Sequence, residues 1–575
     1  MHILGISGLA HDSAAALLGE NGIAAAMEES KLLRARLLGG IPREAIHFCL
    51  ARAGIAWRDI PFVAIASRPL RSWARQAWLR ARMTPFAPVS SGYYQTKALG
   101  ELGRELNNDR LLKSMGRDAR SRLLHFEHHL CHAASAFYAS PADRALVLTL
   151  DEQGDGRAGM LALGEGNRLR VLRSIAFPHS LGWVYSQVTE LLGFAPHRDE
   201  HKTQWLSLEG TPEFENVFLE MLRRAPGDLP HLDFSYFNRG LARQIAFSDK
   251  LYRRLGLVPD SAASARGSPP AAGLREPLRR QLASSVQQAC ARVAAELAET
   301  YRKETAARAL CLAGGVFLNP LLAAAVEKNT GFEQVYVQPA AANEGTALGA
   351  AWLVWHQQLG KPRLEPPAHL YWGPSYSSHE IKQVLDNCKA SYRWTEGEDQ
   401  KIEETLRLLQ AGKIVAWYQG AAEFGPRALG NRSLLASPWA PYVKENLNEY
   451  VKHREAFRPF AISVPAEDCA RCFDSSSSSR FMATMGWVRP EARSLLEGFV
   501  LPGDRVRLHV VEREANPLFW RLLRRFGERA PAPLLLNTSF NLFGEPLVIT
   551  PRDAVRSYFC SGIDALMMGN FLLSK

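Results

Sequence analysis

Cysteine is scarce, with eight in 575 residues. That density excludes a disulfide-stapled scaffold, which crowds its cysteines into a far shorter chain. One pair, Cys469-Ala-Arg-Cys472, has the separation of two zinc ligands, but no second CxxC or histidine pair stands beside it, so it reads as two unrelated thiols. Long apolar runs are missing too. Stretches such as 461–464 and 532–536 are far too short to span a bilayer, which excludes a helical membrane protein and a membrane partner. The start, Met1-His2-Ile3-Leu4-Gly5-Ile6, lacks the basic leader of a signal peptide and reads as a first strand, so a cytoplasmic location is expected. No internal repeat is visible.

What is present is ordinary for a globular protein: 47% hydrophobic and 22% charged residues. At this length a single core stops growing, so at least two domains are expected. Lys and Arg exceed Asp and Glu by 69 to 58, a formal charge of +11. That excess suits a nucleic acid, and equally suits small polyanions such as ATP and phosphates.

Three apolar runs end in acidic or glycine-rich tips. The first, at 3–7, leads into Gly8-Leu-Ala-His-Asp-Ser13 and returns as a second strand, a Glu20-Asn-Gly22 hairpin signal and a third strand to Met27. The second, at 145–150, leads into Asp151-Glu-Gln-Gly-Asp-Gly156, and the third, at 309–313, into Gly314-Gly315. Three such units point to an α/β fold feeding one nucleotide cleft. A helical stripe of Ala283, Val286, Ala289, Val293 and Leu297 predicts a helix over 276–304. Residues 258–274 read as a loop, and the serine run 475–479 as a mobile low-complexity loop. Gly360-Lys-Pro and Glu365-Pro-Pro367 mark a boundary between a domain at 1–362 and a second at 368–575.

His128-His-Leu-Cys-His132 carries the sharpest metal signal, because residues i and i+4 share one helix face. Two imidazoles with open positions suit iron or zinc alike. His11-Asp12-Ser13 places an imidazole beside a carboxylate in a turn, which suits a general base and equally suits plain turn capping. Asp151 and Asp155 are candidates to hold a cation, and Gly314 and Gly315 let the main chain approach a ligand. In the second half, Glu423-Phe-Gly-Pro-Arg-Ala-Leu-Gly-Asn-Arg432 and Lys452-His-Arg-Glu-Ala-Phe-Arg-Pro459 offer Arg427, Arg432, Lys452, Arg454 and Arg458 as a polyphosphate grip. Asn537-Thr-Ser-Phe-Asn541 puts amides and a hydroxyl at a strand end.

Together these motifs resemble the NodU/CmcH-type carbamoyltransferase family, nearly end to end. The match includes His11-Asp12-Ser13 with Glu28-Glu29, the HHxxH helix with Ala-Ala-Ser-Ala-Phe137, Ser180-Leu-Gly182 with Glu200-x-Lys202, and Leu312-Ala-Gly-Gly-Val-Phe-Leu-Asn319. It continues through Gly345-Thr-Ala-Leu-Gly-Ala-Ala351, the two arginine loops and the Asn537–Asn541 segment. The resemblance implies an N-terminal actin-like ATPase domain of duplicated α/β type and a C-terminal YrdC-like α/β domain. It implies that the C-terminal domain forms carbamoyl-adenylate from carbamoyl phosphate and ATP (with Mg2+), using Arg427, Asn431, Arg432, Lys452, Arg454, Arg458, Arg507, Asn537, Ser539 and Asn541. The adenylate then binds near Asp151, Gly154, Lys202, Gly314, Gly315 and Asn319. His11 and Asp12 act on the acceptor, and Fe2+ or another divalent metal is held by His128, His132 and the residue at 343.

Two departures stand out. Asn343 occupies the place of the family's usual Asp ligand, and around 501–509 only Arg507 survives of a longer family motif. The expected partner is a small molecule with a hydroxyl acceptor. A homodimer is compatible with the sequence, and nucleic acid is disfavoured. The alternatives are a tRNA-directed carbamoyl-type transferase, which the Arg- and Trp-rich stretch from Arg68 through Arg71, Trp73, Arg75, Trp78, Arg80 and Arg82 favours, and a catalytically degenerate nucleotide-binding scaffold.

Overall fold

The computed structural model describes residues 1–36, 39–68, 108–118, 120–237, 247–257, 274–542 and 544–575. The Arg- and Trp-rich stretch beyond Arg68 and the loop at 258–273 lie outside the described residues. Among the described residues no helix is long and apolar enough to cross a membrane.

Two five-stranded sheets share one plan. In the first, β1 (Ile3–Ser7), β2 (Ala14–Gly19) and β3 (Gly22–Glu28) form an antiparallel meander, and β4 (Phe62–Ile65) and β5 (Arg122–His125) extend it in parallel on the other side of β1. In the second, β6 (Arg144–Gly154), β7 (Arg157–Glu165) and β8 (Arg168–Ala176) form the meander, and β9 (Ala309–Ala313) and β10 (Gln334–Val337) extend it beside β6. The chain is thus a duplicated α/β unit over this span. The repeat lies in strand order, not in residue identity, which is why none is visible in the sequence. The tip of the first hairpin (residues 8–13) and that of the second (residues 151–156) occupy equivalent places in the two units. β1 and β9 are buried on both faces, which explains their continuous apolar runs without polar alternation.

Two helices lie between the sheets. His128–Phe137 packs on β6, β7 and β9, Gly345–Leu353 packs on β1, β2 and β4, and the two pack on each other. Glycine permits this approach: a Cβ at Gly349 would lie 1.9 Å from the Cys131 carbonyl oxygen, and one at Gly5 would lie 2.0 Å from that of Ala347. The expected long helix is present as Glu276–Thr305, and its stripe of Ala283, Val286, Ala289, Val293 and Leu297 is buried against the second sheet's core.

Residues 360–377 form no helix or strand. Beyond them a mixed ten-stranded sheet takes strands from Arg393 to Ser574, among them Val415–Tyr418, Arg432–Ala436, Ala461–Pro465, Arg505–Val511 and Leu535–Ser539.

The seam between this sheet and the duplicated unit is polar and built from residues the sequence offered for other purposes. Glu28 pairs with Lys31 at 2.8 Å and accepts from Gly425 N at 2.8 Å, while Lys31 Nζ donates to the carbonyls of Glu423 and Gly425. Glu29 instead accepts from the main-chain N–H groups of Glu44 and Ala45 at a helix start. The serine run corrects the expectation of a mobile loop. Its core is the short helix Ser477–Phe481, with Ser478 and Ser479 buried. Ser478 Oγ accepts from Val337 N at 3.1 Å, and Ser476 and Thr484 donate to Glu327 of helix Pro320–Asn329. Low complexity here serves hydrogen bonding across a seam, where small hydroxyls fit and long side chains do not.

Burial pushes the Glu327 carboxyl from the ordinary 4.5 up to about 7, despite its two hydroxyl donors. The folded state therefore holds this proton more tightly than the unfolded one, and stability falls as pH rises between about 4.5 and 7. Glu327→Gln is expected to flatten the dependence of the denaturation midpoint on pH across that window. Wild-type and variant curves of equal slope would refute the assignment.

Candidate active site

Helix His128–Phe137 starts where Glu127 accepts from Leu130 N at 2.7 Å and Asp155 accepts from His128 N at 2.8 Å. These two caps fix the rotation of the helix, and with it the direction of the histidines. His128 Nε2 and His132 Nε2 lie 3.0 Å apart, and Asp151 Oδ2 sits 3.4 and 3.2 Å from them. The ligating atoms of all three residues lie within 4.8 Å of one another. Asp155, also a candidate for a cation, is spent on the helix cap.

Asp151 is held as rigidly as the helix. Its Oδ1 accepts from Glu152 N at 2.7 Å, so only Oδ2 is left to face the imidazoles. Ser180 Oγ donates to its carbonyl at 3.0 Å. The surrounding glycines make the space. A Cβ at Gly315 would lie 2.8 Å from Asp151 Oδ1, one at Gly314 2.1 Å from the Leu150 carbonyl oxygen, one at Gly182 2.8 Å from Glu152 N, and one at Gly154 only 2.0 Å from His128 Cδ2. Gly154, Gly314 and Gly315, expected at the adenylate, thus shape the pocket around the triad.

Burial disfavours charge on Asp151, but the two imidazoles outweigh it and hold its carboxyl well below the usual range. Burial likewise opposes protonation of His128, yet its contact with Asp151 raises it overall, while burial keeps His132 lowered. Two imidazole nitrogens and one carboxylate oxygen converging this tightly form a donor set suited to a first-row divalent cation such as Fe2+ or Zn2+. The residues present therefore fit a metal. The acidic group at the histidines is Asp151, one of the two aspartates the sequence offered to hold a cation. The Asn343 amide turns instead to His11, with Nδ2 3.2 Å from both ring nitrogens. His11 Nδ1 also meets Asp12 Oδ2 at 2.9 Å. Burial works against charge on His11, but Asp12 outweighs it and raises the imidazole. Asp12 itself holds a left-handed φ of 54° across the tight turn from Gly8.

The sequence missed His197. Its Nδ1 lies 2.7 Å from Glu152 Oε2, which raises its imidazole, and it is close enough to His11 for each to feel the other's charge. The His-Arg-Asp-Glu segment gives no periodic signal that would single it out.

The second cluster lies where the ten-stranded sheet meets the duplicated unit. Arg427, Arg454, Arg458 and Arg507 converge there. Burial, then their mutual repulsion, lowers Arg507 well below its ordinary value, Arg427 to about 10 and Arg454 to about 9. Arg427 Nη2 donates to the Leu318 carbonyl at 2.7 Å, and the Arg507 guanidinium lies 5.9 Å from the Trp205 ring centre. Three buried N–H groups, Arg454 Nη2, Arg458 Nε and Arg507 Nε, have no partner among the described residues. Glu455 is the acid at hand, and it is shared between Lys202 at 2.8 Å and Arg458 at 4.0 Å. Such a cluster lacks counter-charge and fits a polyanion. The altered segment around Arg507 therefore still delivers its cation.

Several expected phosphate contacts are placed elsewhere. Arg432 is fully buried, donates to the carbonyls of Gln419, Asn431, Pro374 and Gly420, and lies over the Tyr418 ring at 3.7 Å, so its fork is occupied. Asn431 bonds to Ala421 O and Asn516, and Asn537 to Ala428 O, Ser463 and His509, all inside the sheet. Ser539 and Asn541 hold the Lys452 ammonium, which Arg454 and Arg458 repel. Asn319 caps helix Pro320–Asn329 and bonds to Gln287, and Lys202 is ion-paired with Asp199 and Glu455. The two thiols Cys469 and Cys472 join no group of three metal-ligating side chains among the described residues.

Residues 2–352 match the family model described as Carbamoyltransferase N-terminus, and residues 406–575 match Carbamoyltransferase C-terminus. The chain belongs to the carbamoyltransferase family. Relatives in that family include the protein sll1178 of Synechocystis sp., 34% identical over 100% of this chain and 97% of that protein, and Nodulation protein NolNO of Sinorhizobium fredii, 32% identical over 98% and 79%. 3'-hydroxymethylcephem-O-carbamoyltransferase of Amycolatopsis lactamdurans is 33% identical over 42% of this chain and 44% of that protein. Among solved structures, HypF of T. kodakarensis aligns with 62% of this chain and 48% of that chain at a TM-score of 0.34 and 14% identity.

Gly154→Ala is expected to push the His128 ring aside and weaken Co2+ binding by at least about tenfold, and Asp151→Asn by about 100-fold, both read by calorimetry. Asn343→Ala should leave Co2+ affinity within about twofold. A loss equal to that of Asp151→Asn would return the ligand role to Asn343.

Proposed function

We propose that this carbamoyltransferase makes carbamoyl-adenylate from carbamoyl phosphate and ATP, and transfers the carbamoyl group to a hydroxyl of a small molecule. The uncompensated arginine cluster carries this reading. Both co-substrates are polyanions, and Arg427, Arg454, Arg458 and Arg507 bring four guanidinium forks together with Glu455, itself shared with Lys202, as their one ion-paired carboxylate among the described residues. Adenylate formation consumes one water, which releases phosphate from carbamoyl phosphate, and the carbamate oxygen then displaces pyrophosphate from the ATP α-phosphate, so the carbamoyl group gains AMP as a good leaving group. The arginines would orient both phosphate chains and absorb charge that develops between them.

Transfer would follow at the His–Asp triad. The two clusters are joined by one short segment, Gly315–Leu318: Gly315 backs onto Asp151 and the Leu318 carbonyl takes Arg427. A 3-10 turn of four residues spans roughly 8 Å, so an adenylate needs little travel between them. A divalent cation held by His128, His132 and Asp151 would supply positive charge beside the leaving phosphate. The cephem O-carbamoyltransferase named among the relatives supports a hydroxyl acceptor.

ATP–pyrophosphate exchange that requires carbamoyl phosphate is the expected result with purified protein. Arg507→Gln should lower it by about 100-fold, as loss of one preorganised charged donor does. Wild-type protein that binds ATP but shows no such exchange would sink the adenylate route.

A further inference from the structure

The strand Arg505–Val511 carries two arginines on one face, two residues apart, and they go to different places. Arg507 joins the arginine cluster. Its guanidinium lies by the Trp205 ring, and Trp205 packs with Leu321, Ala324 and Met485 into a buried apolar group. Arg505 instead lines a cleft of about 380 Å³, where helices Glu276–Thr305 and Pro320–Asn329 face the strands Met485–Val488 and Arg505–Val511. That volume suits a small ligand. None of the four clustered arginines lines the cleft, so it is a separate space.

The cleft is cationic and lacks acid. Arg505 Nε donates to the Pro502 carbonyl at 2.7 Å, which leaves the two Nη groups without a partner among the described residues. The adjacent Asp504 is committed to Arg493. Lys328 also has no ion pair among the described residues, and its Nζ lies 5.8 Å from the centre of the Trp487 ring. Trp487 stands directly across from Arg505 in the strand pairing. No Asp or Glu is among the described residues that line the cleft. An arginine fork and an ammonium without counter-charge suit a phosphate. The remaining polar groups suit hydroxyls. Ser284 is only 5% exposed, yet its hydroxyl has no partner among the described residues and it lines the cleft. The amides of Gln288 and Asn329 are likewise open. Trp487 is the one aromatic ring of the lining, with no second ring to sandwich a base, so it offers a platform for the C–H face of a sugar.

We propose that this cleft binds a sugar phosphate, with the phosphate on Arg505 and Lys328, the sugar face on Trp487 and its hydroxyls on Ser284, Gln288 and Asn329. The site stands apart from the adenylate route and does not depend on it.

Calorimetry on the full chain tests it, with ribose 5-phosphate, ribose, inorganic phosphate and AMP as probes. Ribose 5-phosphate is expected to bind at least about tenfold tighter than ribose or phosphate alone, since each lacks half of the contacts. Arg505→Gln should weaken it by at least about tenfold, and so should Lys328→Glu at an exposed position that folding tolerates. Arg507→Gln should leave it within about twofold, because that guanidinium lies outside the cleft. Unchanged binding in both Arg505→Gln and Lys328→Glu overturns the site, and so does a loss confined to Arg507→Gln, which would put the probe in the arginine cluster. Inorganic phosphate binding as tightly as ribose 5-phosphate overturns the sugar assignment, as does tighter binding of AMP with the same dependence on Arg505.

Discussion

The Asp151 carboxylate is the constraint around which the rest is arranged. One oxygen is fixed by the next residue's N–H, and the other lies between two imidazoles. A half-buried carboxylate tolerates this only with partners on both oxygens. Every nearby glycine then follows as a space requirement. Gly154 yields to His128, Gly315 to the carboxylate, and Gly314 to the strand beneath it. The helix bearing the histidines must in turn come close, and Gly349 lets the neighbouring helix hold it there.

The arginine cluster is the opposite case. Asp151 is over-determined by its partners, whereas the guanidinium groups are assembled against their own repulsion with buried donors left open. Such an arrangement costs stability in the free protein and is offset when an anion arrives. The polar seam around Lys31, Glu28 and the serine run fixes the sheet that carries these arginines, so the cost is met by contacts outside the cluster.

Much of this was readable from residue pattern. The apolar strands with glycine tips, the long helix at Glu276–Thr305 and the HxxxH pair all sit where local rules put them, because each depends on neighbours in sequence. What depended on distant contacts was harder to read. Arg432 and Arg427 look alike in a Gly/Arg loop, but one faces four carbonyls inside the sheet and the other faces the seam. Asp151 stands 19 positions from His132, and only the tertiary fold shows that its carboxylate meets both histidines. The serines at 475–479 lack any periodicity, and their role appears only opposite Glu327. His197 owes its place to a strained turn that no pattern announces.

The duplicated sheet plan bears on how such a site can diversify. His11 and Asp12 stand on the tip of one hairpin, and Asp151, Glu152 and Gly154 on the equivalent tip of its twin. Each tip is anchored in the register of its own sheet, so a change in one leaves the strand pairing of the other untouched. The two equivalent turns are free to change separately, with the His–His–Asp cluster kept beside one while the residues of the other vary. An active site assembled from twin loops can evolve one half at a time.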